Sequence, residues 1–272
     1  MPGLELHHNG LSSCSQKVRL VLAEKSLPFT SREVNLVGGE QHAPEYVKLN
    51  PNHVVPTLVH DGHVLIESSL INEYLEEAFP EVPLAPRDPA ARHAMRLWVK
   101  QIDEKVHPAA AAVTYAIGAR PALLSQPPEV REAAIAGIPD PARRAARRSV
   151  IEHGVAAPEF AGALGAFLDL LDAMQAKLTP GGWLSGDRFG LADAAALPYV
   201  LRLEHLAMTP LFSGSTRPRV ADWLARVKAR PSFETAITAW APAPILNLVR
   251  SQGEAVWADV EPLTRRASGD PA

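Results

Sequence analysis

The chain has 272 residues, 47% hydrophobic and 21% charged, with a formal net charge of −3. That profile fits one large globular domain or two small ones, and a charge so near zero argues against nucleic acid or an anionic membrane as partner. No stretch of about 18 apolar residues exists, "MPGLELHHNGL" lacks the form of a signal peptide, and the single cysteine, Cys14, excludes an internal disulfide framework and suits the cytoplasm.

"LELHH" (4–8) reads as a short strand. Residues 13–25 carry Val18, Leu20, Val21 and Leu22 on an apolar face, with Arg19, Glu24 and Lys25 outside it, and are expected as a helix. "TSREVNL" (30–36) alternates as a strand does, and 40–48 is a weaker helix. "PTLVHDGHVLIES" (56–68) predicts a hairpin turning at Asp61-Gly62, followed by a helix over 68–79. The resulting order is β-α-β-α-β-β-α, with the first two strands parallel and the last two antiparallel.

The stretch 80–92 carries Pro80, Pro83, Pro86 and Pro89, and a linker is expected at 81–90. Beyond it strand patterns vanish. A long amphipathic helix starts near residue 91, with Pro108 as a bend or break. Further helices are expected at 160–178, 190–206 and 218–233. The division is therefore a domain over 1–80, the linker, an all-α domain over 91–262, and a flexible polar tail over 263–272.

Together these features resemble the soluble glutathione transferase superfamily: a thioredoxin-like α/β domain followed by an all-α domain. "SSCSQKVR" (12–19) is similar to the SSCS-x-[RK]-V-R signature of the zeta class. The resemblance implies that Ser12 hydrogen-bonds the sulfur of glutathione, which would be a cosubstrate. The chemistry is coherent, because a thiol near pKa ~8.5 is only about 3% thiolate at neutral pH, and a hydroxyl donor at the positive end of a helix favours the anion. On residues alone Ser12 or Ser13 could simply cap the helix, and the expected arrangement has Ser13 as cap with Ser12 facing the ligand. Cys14 lies about 200° around the helix from Ser12 and is read as a packed residue.

"NPNHVVPTL" (50–58) resembles the family segment in which a cis proline begins the third strand. By that resemblance Val55–Pro56 is cis, Val55 pairs with the glutathione backbone, and His53 reaches the glycine carboxylate; on residues alone His53 is equally a surface histidine. Glu67 and Ser68 match the family pair that grips the γ-glutamyl end, where a helix start can take the α-carboxylate. "DRFGLADAAAL" (187–197) resembles a helix-capping box in which Gly190 replaces the usual hydroxyl residue and Asp193 is structural. The first tyrosine is Tyr46, so a tyrosine at the end of the first strand is not available for thiol activation.

The long segment 119–159, with its "IPDP" and paired arginines Arg143/Arg147 and Arg144/Arg148, resembles that of bacterial β-etherase-like transferases. Those arginines read either as a solvated helix face or as a cap that binds an anionic substrate. The electrophile site is expected from the loop after the first strand, including Asn9 and Leu11, and from the long helix, including His107 and Tyr115. Met95, Trp98, Ile102 and Val106 form a stripe that packs as core or pocket. No metal site is assigned.

The function so implied is attack by activated glutathione on a small hydrophobic or aromatic electrophile, aryl ethers included. Two alternatives stand beside it: glutathione-dependent cis-trans isomerisation, and a non-catalytic glutathione-binding or interaction module. A cytoplasmic homodimer is expected.

Overall fold

The computed structural model describes residues 3–138 and 140–265; residues 266–272 of the expected tail lie outside the described residues. Residues 263 and 264 belong to a short 3-10 turn, Glu261–Thr264.

The elements run β1 (Leu4–His8), α1 (Ser13–Glu24), β2 (Thr30–Glu33), α2 (Pro44–Leu49), β3 (Thr57–His60), β4 (His63–Leu65), α3 (Ser68–Ala78) and α4 (Pro89–Gln101). They continue through α5 (His107–Thr114), α6 (Arg120–Leu124), α7 (Pro128–Ala136), α8 (Pro141–His153), α9 (Pro158–Lys177), α10 (Leu191–His205), α11 (Pro218–Lys228), α12 (Pro231–Ala236) and α13 (Ala243–Val260). By packing the chain forms two units. The first takes the residues up to Lys100 with Leu178–Pro198 and Asp222–Pro242; the second takes Gln101–Lys177, Tyr199–Ala221 and the residues from Ala243. These units do not follow chain order, because the segments after 178 and 222 return to pack with the first 100 residues.

In the first unit four strands form a sheet ordered β2-β1-β3-β4. β1 is parallel to β2 and antiparallel to β3, and β4 is antiparallel to β3. The hairpin turns where expected: Asp61 and Gly62 both have positive φ, 47° and 83°, as a type I′ turn requires. β2 ends at Glu33, short of the expected residue 36, and is exposed along its length.

α1 departs from the expected amphipathic pattern. Val18, Leu20, Val21 and Leu22 are fully buried, but so are Lys17 and Arg19, and Lys25 nearly so. Each long cation finds acceptors: Lys25 Nζ donates to the carbonyls of Phe79 and Val82 at 2.9 and 2.7 Å and pairs with Glu76 at 2.7 Å. Glu24 near the helix end takes a bidentate pair from Arg230 at 2.6 and 2.7 Å.

Asp193 staples the returning segment. Its carboxylate accepts from the backbone N–H of Leu184, Ser185 and Gly190 at 2.9, 3.2 and 3.1 Å and from Trp223 Nε1 at 2.8 Å. Burial pushes its carboxyl pKa up against these four donors. Gly190 is more than a tolerated cap, since a Cβ there would strike the Leu84 carbonyl oxygen. The missing hydroxyl comes from Ser185, whose Oγ accepts from the Ala192 N–H at 3.1 Å.

In the second unit two π-helical turns, Ile102–Val106 and Tyr115–Ala119, flank α5. Pro108 therefore causes no break: it occupies the first turn of α5, directly after the widened turn. The segment 119–159 folds into α6, α7 and α8. Its arginines are largely committed within the unit: Arg148 pairs with Glu132 at 2.6 Å, Arg144 donates to the Ile138 carbonyl at 2.5 Å, and Arg147 lies over the Tyr115 ring at 3.2 Å. Among the described residues no single helix is long and apolar enough to cross a membrane.

Candidate active site

The site begins where β1 ends. His8 is followed by the loop Asn9-Gly10-Leu11, and Ser12 then caps α1, its Oγ accepting from the Ser15 N–H at 3.3 Å. The cap is thus Ser12, not Ser13, which is already the first helical residue. The correction brings the two roles together rather than excluding one. A hydroxyl that accepts from a backbone N–H keeps its own hydrogen, which it can donate outward. Ser12 is half-buried, and the first turn of α1 carries no acidic residue to cancel the positive end of the helix.

The loop is held from within. Asn9 Oδ1 accepts from the Leu11 N–H at 3.1 Å, Asn9 Nδ2 donates to the Val34 carbonyl at 3.1 Å, and the Ser12 N–H donates to the Asn9 carbonyl at 3.3 Å. Asn9 therefore uses its amide oxygen on the loop itself and its amide nitrogen to tie the loop to the residue after β2. Cys14 is half-buried.

Sheet register brings the other expected residues to the same edge. His7 pairs with Thr57 and Leu65 with Leu58, so the end of β1, the start of β3 and the end of β4 leave the sheet together. The Val55–Pro56 bond is cis. Among the described residues no backbone hydrogen bond uses the N–H or C=O of Val55. Two side chains brace this loop: Tyr46 Oη donates to the Val54 carbonyl at 2.7 Å, and Asn50 Nδ2 donates to it at 2.9 Å. Burial raises the Tyr46 phenol pKa, so it remains a donor.

Glu67 stands before α3 with φ 69°, and Ser68 opens that helix, 7% exposed. α3 has no side-chain cap, leaving its first N–H groups for an anion. Two neighbours escaped the sequence reading. Asn52 Nδ2 donates to Glu67 Oε1 at 3.2 Å, tying the two loops. His42 Nδ1 meets His53 Nδ1 at 3.2 Å, one ring donating to the other, and His53 has φ 56°. The only available signal was residue type: Asn52 lies inside the 50–58 segment and His42 shortly before it. A third residue, Arg19, is buried although it lies off the apolar face of α1.

His107 and Tyr115 lie in the second unit, whereas Asn9 and Leu11 lie in the first. His107 Nδ1 meets Tyr199 Oη at 3.1 Å. Tyr115 carries Arg147 on its face, and burial lowers the pKa of Arg147 and of Arg202. Of the expected stripe, Met95, Ile102 and Val106 are buried.

Residues 11–78 match the glutathione S-transferase N-terminal domain, and residues 141–226 match the glutathione S-transferase C-terminal domain. The probable maleylacetoacetate isomerase 2 of Drosophila melanogaster is 43% identical over 99 residues, which is 36% of this chain and 44% of that protein. The glutathione S-transferase TCHQD of Arabidopsis thaliana is 29% identical over 262 residues, covering 86% of this chain and 89% of its own. Among solved structures, the beta-etherase LigF from Sphingobium sp. strain SYK-6 superposes with a TM-score of 0.75 at 28% identity, covering 86% of this chain and 98% of that one.

Proposed function

Because the chain belongs to the glutathione S-transferase family, we propose that it activates the thiol of glutathione with the Ser12 hydroxyl and directs the thiolate at a small aromatic electrophile. The observation that carries this reading is the Ser12 geometry: a cap whose hydrogen is left to donate, at an unneutralised helix start, on the sheet edge shared with Val55–Pro56 and Glu67–Ser68. Residues 1–80 are read as the glutathione-binding part. The Val55 backbone takes the cysteinyl backbone as an added strand, Ser68 and the start of α3 take the α-carboxylate, Glu67 takes the α-ammonium, and His53 the glycine carboxylate. Lowering the thiol pKa by ~2 units stabilises the thiolate by roughly 2.7 kcal/mol and makes it the main species at neutral pH. Positioning and desolvation supply the rest, and no protein side chain becomes covalent.

Cleavage of an aryl ether is the favoured reaction, since the etherase structure superposes on 86% of the chain with a TM-score of 0.75. Sulfur forms a bond to carbon, the carbon–oxygen bond breaks, and the departing phenolate takes a proton. Isomerisation is the second reading; in sequence the isomerase and the etherase match over equally short stretches, 99 residues at 43% identity and 103 residues at 44%. A cytoplasmic homodimer completes the proposal. The single cysteine suits a reducing compartment, and Leu70 and Leu97, 65% and 52% exposed on the first unit, suit a partner surface.

The experiment is glutathione calorimetry with an ultraviolet thiolate titration, followed by a panel of an aryl ether, an aromatic halide and a cis-alkene diacid. Thiolate at neutral pH with ether or halide turnover supports the proposal. Turnover of the diacid alone selects isomerisation. Binding without any product selects the non-catalytic module, and no binding refutes the glutathione reading outright.

A further inference from the structure

A charged group is rarely buried unless its environment holds it, because leaving water carries a cost of several kcal/mol. Arg19 is 1% exposed. It sits on α1 two turns beyond Ser12, and both of its Nη groups are directed at the end of β1 and the loop after it. Nη1 donates to the Asn9 carbonyl and His8 Nδ1, both at 3.0 Å, and Nη2 donates to the Gly10 carbonyl at 2.7 Å. Nε donates to the carbonyl of Ala236 at 2.8 Å. The guanidinium thus clasps the β1–α1 loop from beneath.

The segment that follows Ala236 closes the loop from the other side. The Trp240 ring lies 5.4 Å from the guanidinium and edge-on to His8 at 4.7 Å. A Cβ on Gly10 would run into the Trp240 carbonyl oxygen, so glycine is what lets the two backbones approach. The Asn9 carbonyl accepts from both Arg19 and the Ser12 N–H, so a displacement of the guanidinium carries over to Ser12 through one shared atom.

We propose that Arg19, locked by the 236–240 segment, is the positioning residue of the thiol site: it aims the Ser12 hydroxyl and supplies a fixed positive charge beneath the start of α1. The inference rests on the glutathione reading given above. The groups that face the guanidinium are His8 of β1 and Glu33 of β2. Burial and the Arg19 charge push the His8 pKa down to about 4, so the ring is neutral; its Nδ1 accepts from Arg19 while its Nε2–H donates to Ser31 Oγ at 2.9 Å. Glu33 attracts the guanidinium, and burial lowers the pKa of Arg19 to about 10, leaving it charged at neutral pH. A cation in this setting favours a thiolate at Ser12 more than the same cation in water.

The test compares wild type with Arg19→Met, Arg19→Lys and Trp240→Ala. Each is checked by circular dichroism, then measured for glutathione affinity, bound-thiol pKa and the pH profile of kcat/KM. In Arg19→Met, affinity is expected within about threefold of wild type, with the thiol pKa about one unit higher. That is tenfold less thiolate below the pKa, and kcat/KM falls tenfold there and recovers at alkaline pH. Arg19→Lys keeps the charge but loses the planar fork and is expected in between. Should Arg19→Met fail to fold, the lysine and Trp240 variants decide by the same pKa criterion. Folded variants with a wild-type thiol pKa overturn the positioning role, since a merely structural residue would change stability and leave that value alone. A wild-type complex whose thiol titrates as in water overturns the activation reading itself, and this inference with it.

Discussion

Ser12 is assigned two duties, and substitutions can separate them. As a cap it accepts from the Ser15 N–H; in the proposed mechanism it gives its hydrogen to the sulfur. The cap bond is long, 3.3 Å, which puts its loss in the lower half of the usual range, about 0.5–1 kcal/mol. A hydrogen bond to a charged acceptor contributes about 1.5–3 kcal/mol, or roughly one to two units of thiol pKa. Ser12→Ala should therefore lose both: about 1 kcal/mol of stability by urea unfolding, and roughly 10–100-fold in kcat/KM at mildly acidic pH. Ser12→Asp keeps a cap acceptor but has no proton to give and repels the thiolate. It should unfold within about 0.5 kcal/mol of wild type and show no thiolate near neutrality. Ser12→Thr should retain both functions. If Ser12→Ala still holds glutathione as thiolate at neutral pH, the hydroxyl is not the donor. If Ser12→Asp is as unstable as Ser12→Ala, the capping account is wrong.

Two further outcomes follow from buried groups away from the sulfur. Asp193→Ala strips a carboxylate from four donors, three of them in buried hydrogen bonds, and should cost about 3–5 kcal/mol in denaturant unfolding; a loss below about 1 kcal/mol would show that the staple is dispensable. His8, with a folded pKa of about 4 against an ordinary 6.5, binds fewer protons folded than unfolded. Its contribution is present above about pH 6.5 and lost as pH falls toward 4, up to ~3 kcal/mol. Comparing acid unfolding of wild type with His8→Asn checks this, and equal pH slopes between 6.5 and 4 would refute it.

The sheet edge was legible from the residues because each of its parts is local. The Asp61-Gly62 turn, the Pro56 segment and the Glu67–Ser68 helix start each occupy a few consecutive positions, and strand register then aligns them. The cap was misplaced by one residue, since Ser12 and Ser13 are chemically equivalent and only backbone dihedrals distinguish the two. α1 was misread for a different reason. Periodicity sorts charges outward because it carries no information on acceptors elsewhere in the chain. Lys25 is satisfied by carbonyls more than fifty residues on, and Arg19 by one 217 residues on. Asn52 and His42 were missed likewise, as single polar contacts between loops leave no pattern. Pro108 was read as an interruption because the rule for α-helices does not anticipate a π turn placed directly before it.

The carbonyl of Ala236 and the ring of Trp240 come late in the chain, yet they close the loop that precedes Ser12. During synthesis the sheet and α1 can form early, but the clasp over Gly10 must wait until residues 236–240 have left the ribosome. A nascent or truncated form ending before residue 236 would carry Ser12 without the shape that aims it. If Ser12 has the role proposed above, the site gains its aim only after that segment is made, and shorter nascent chains carry the serine without it.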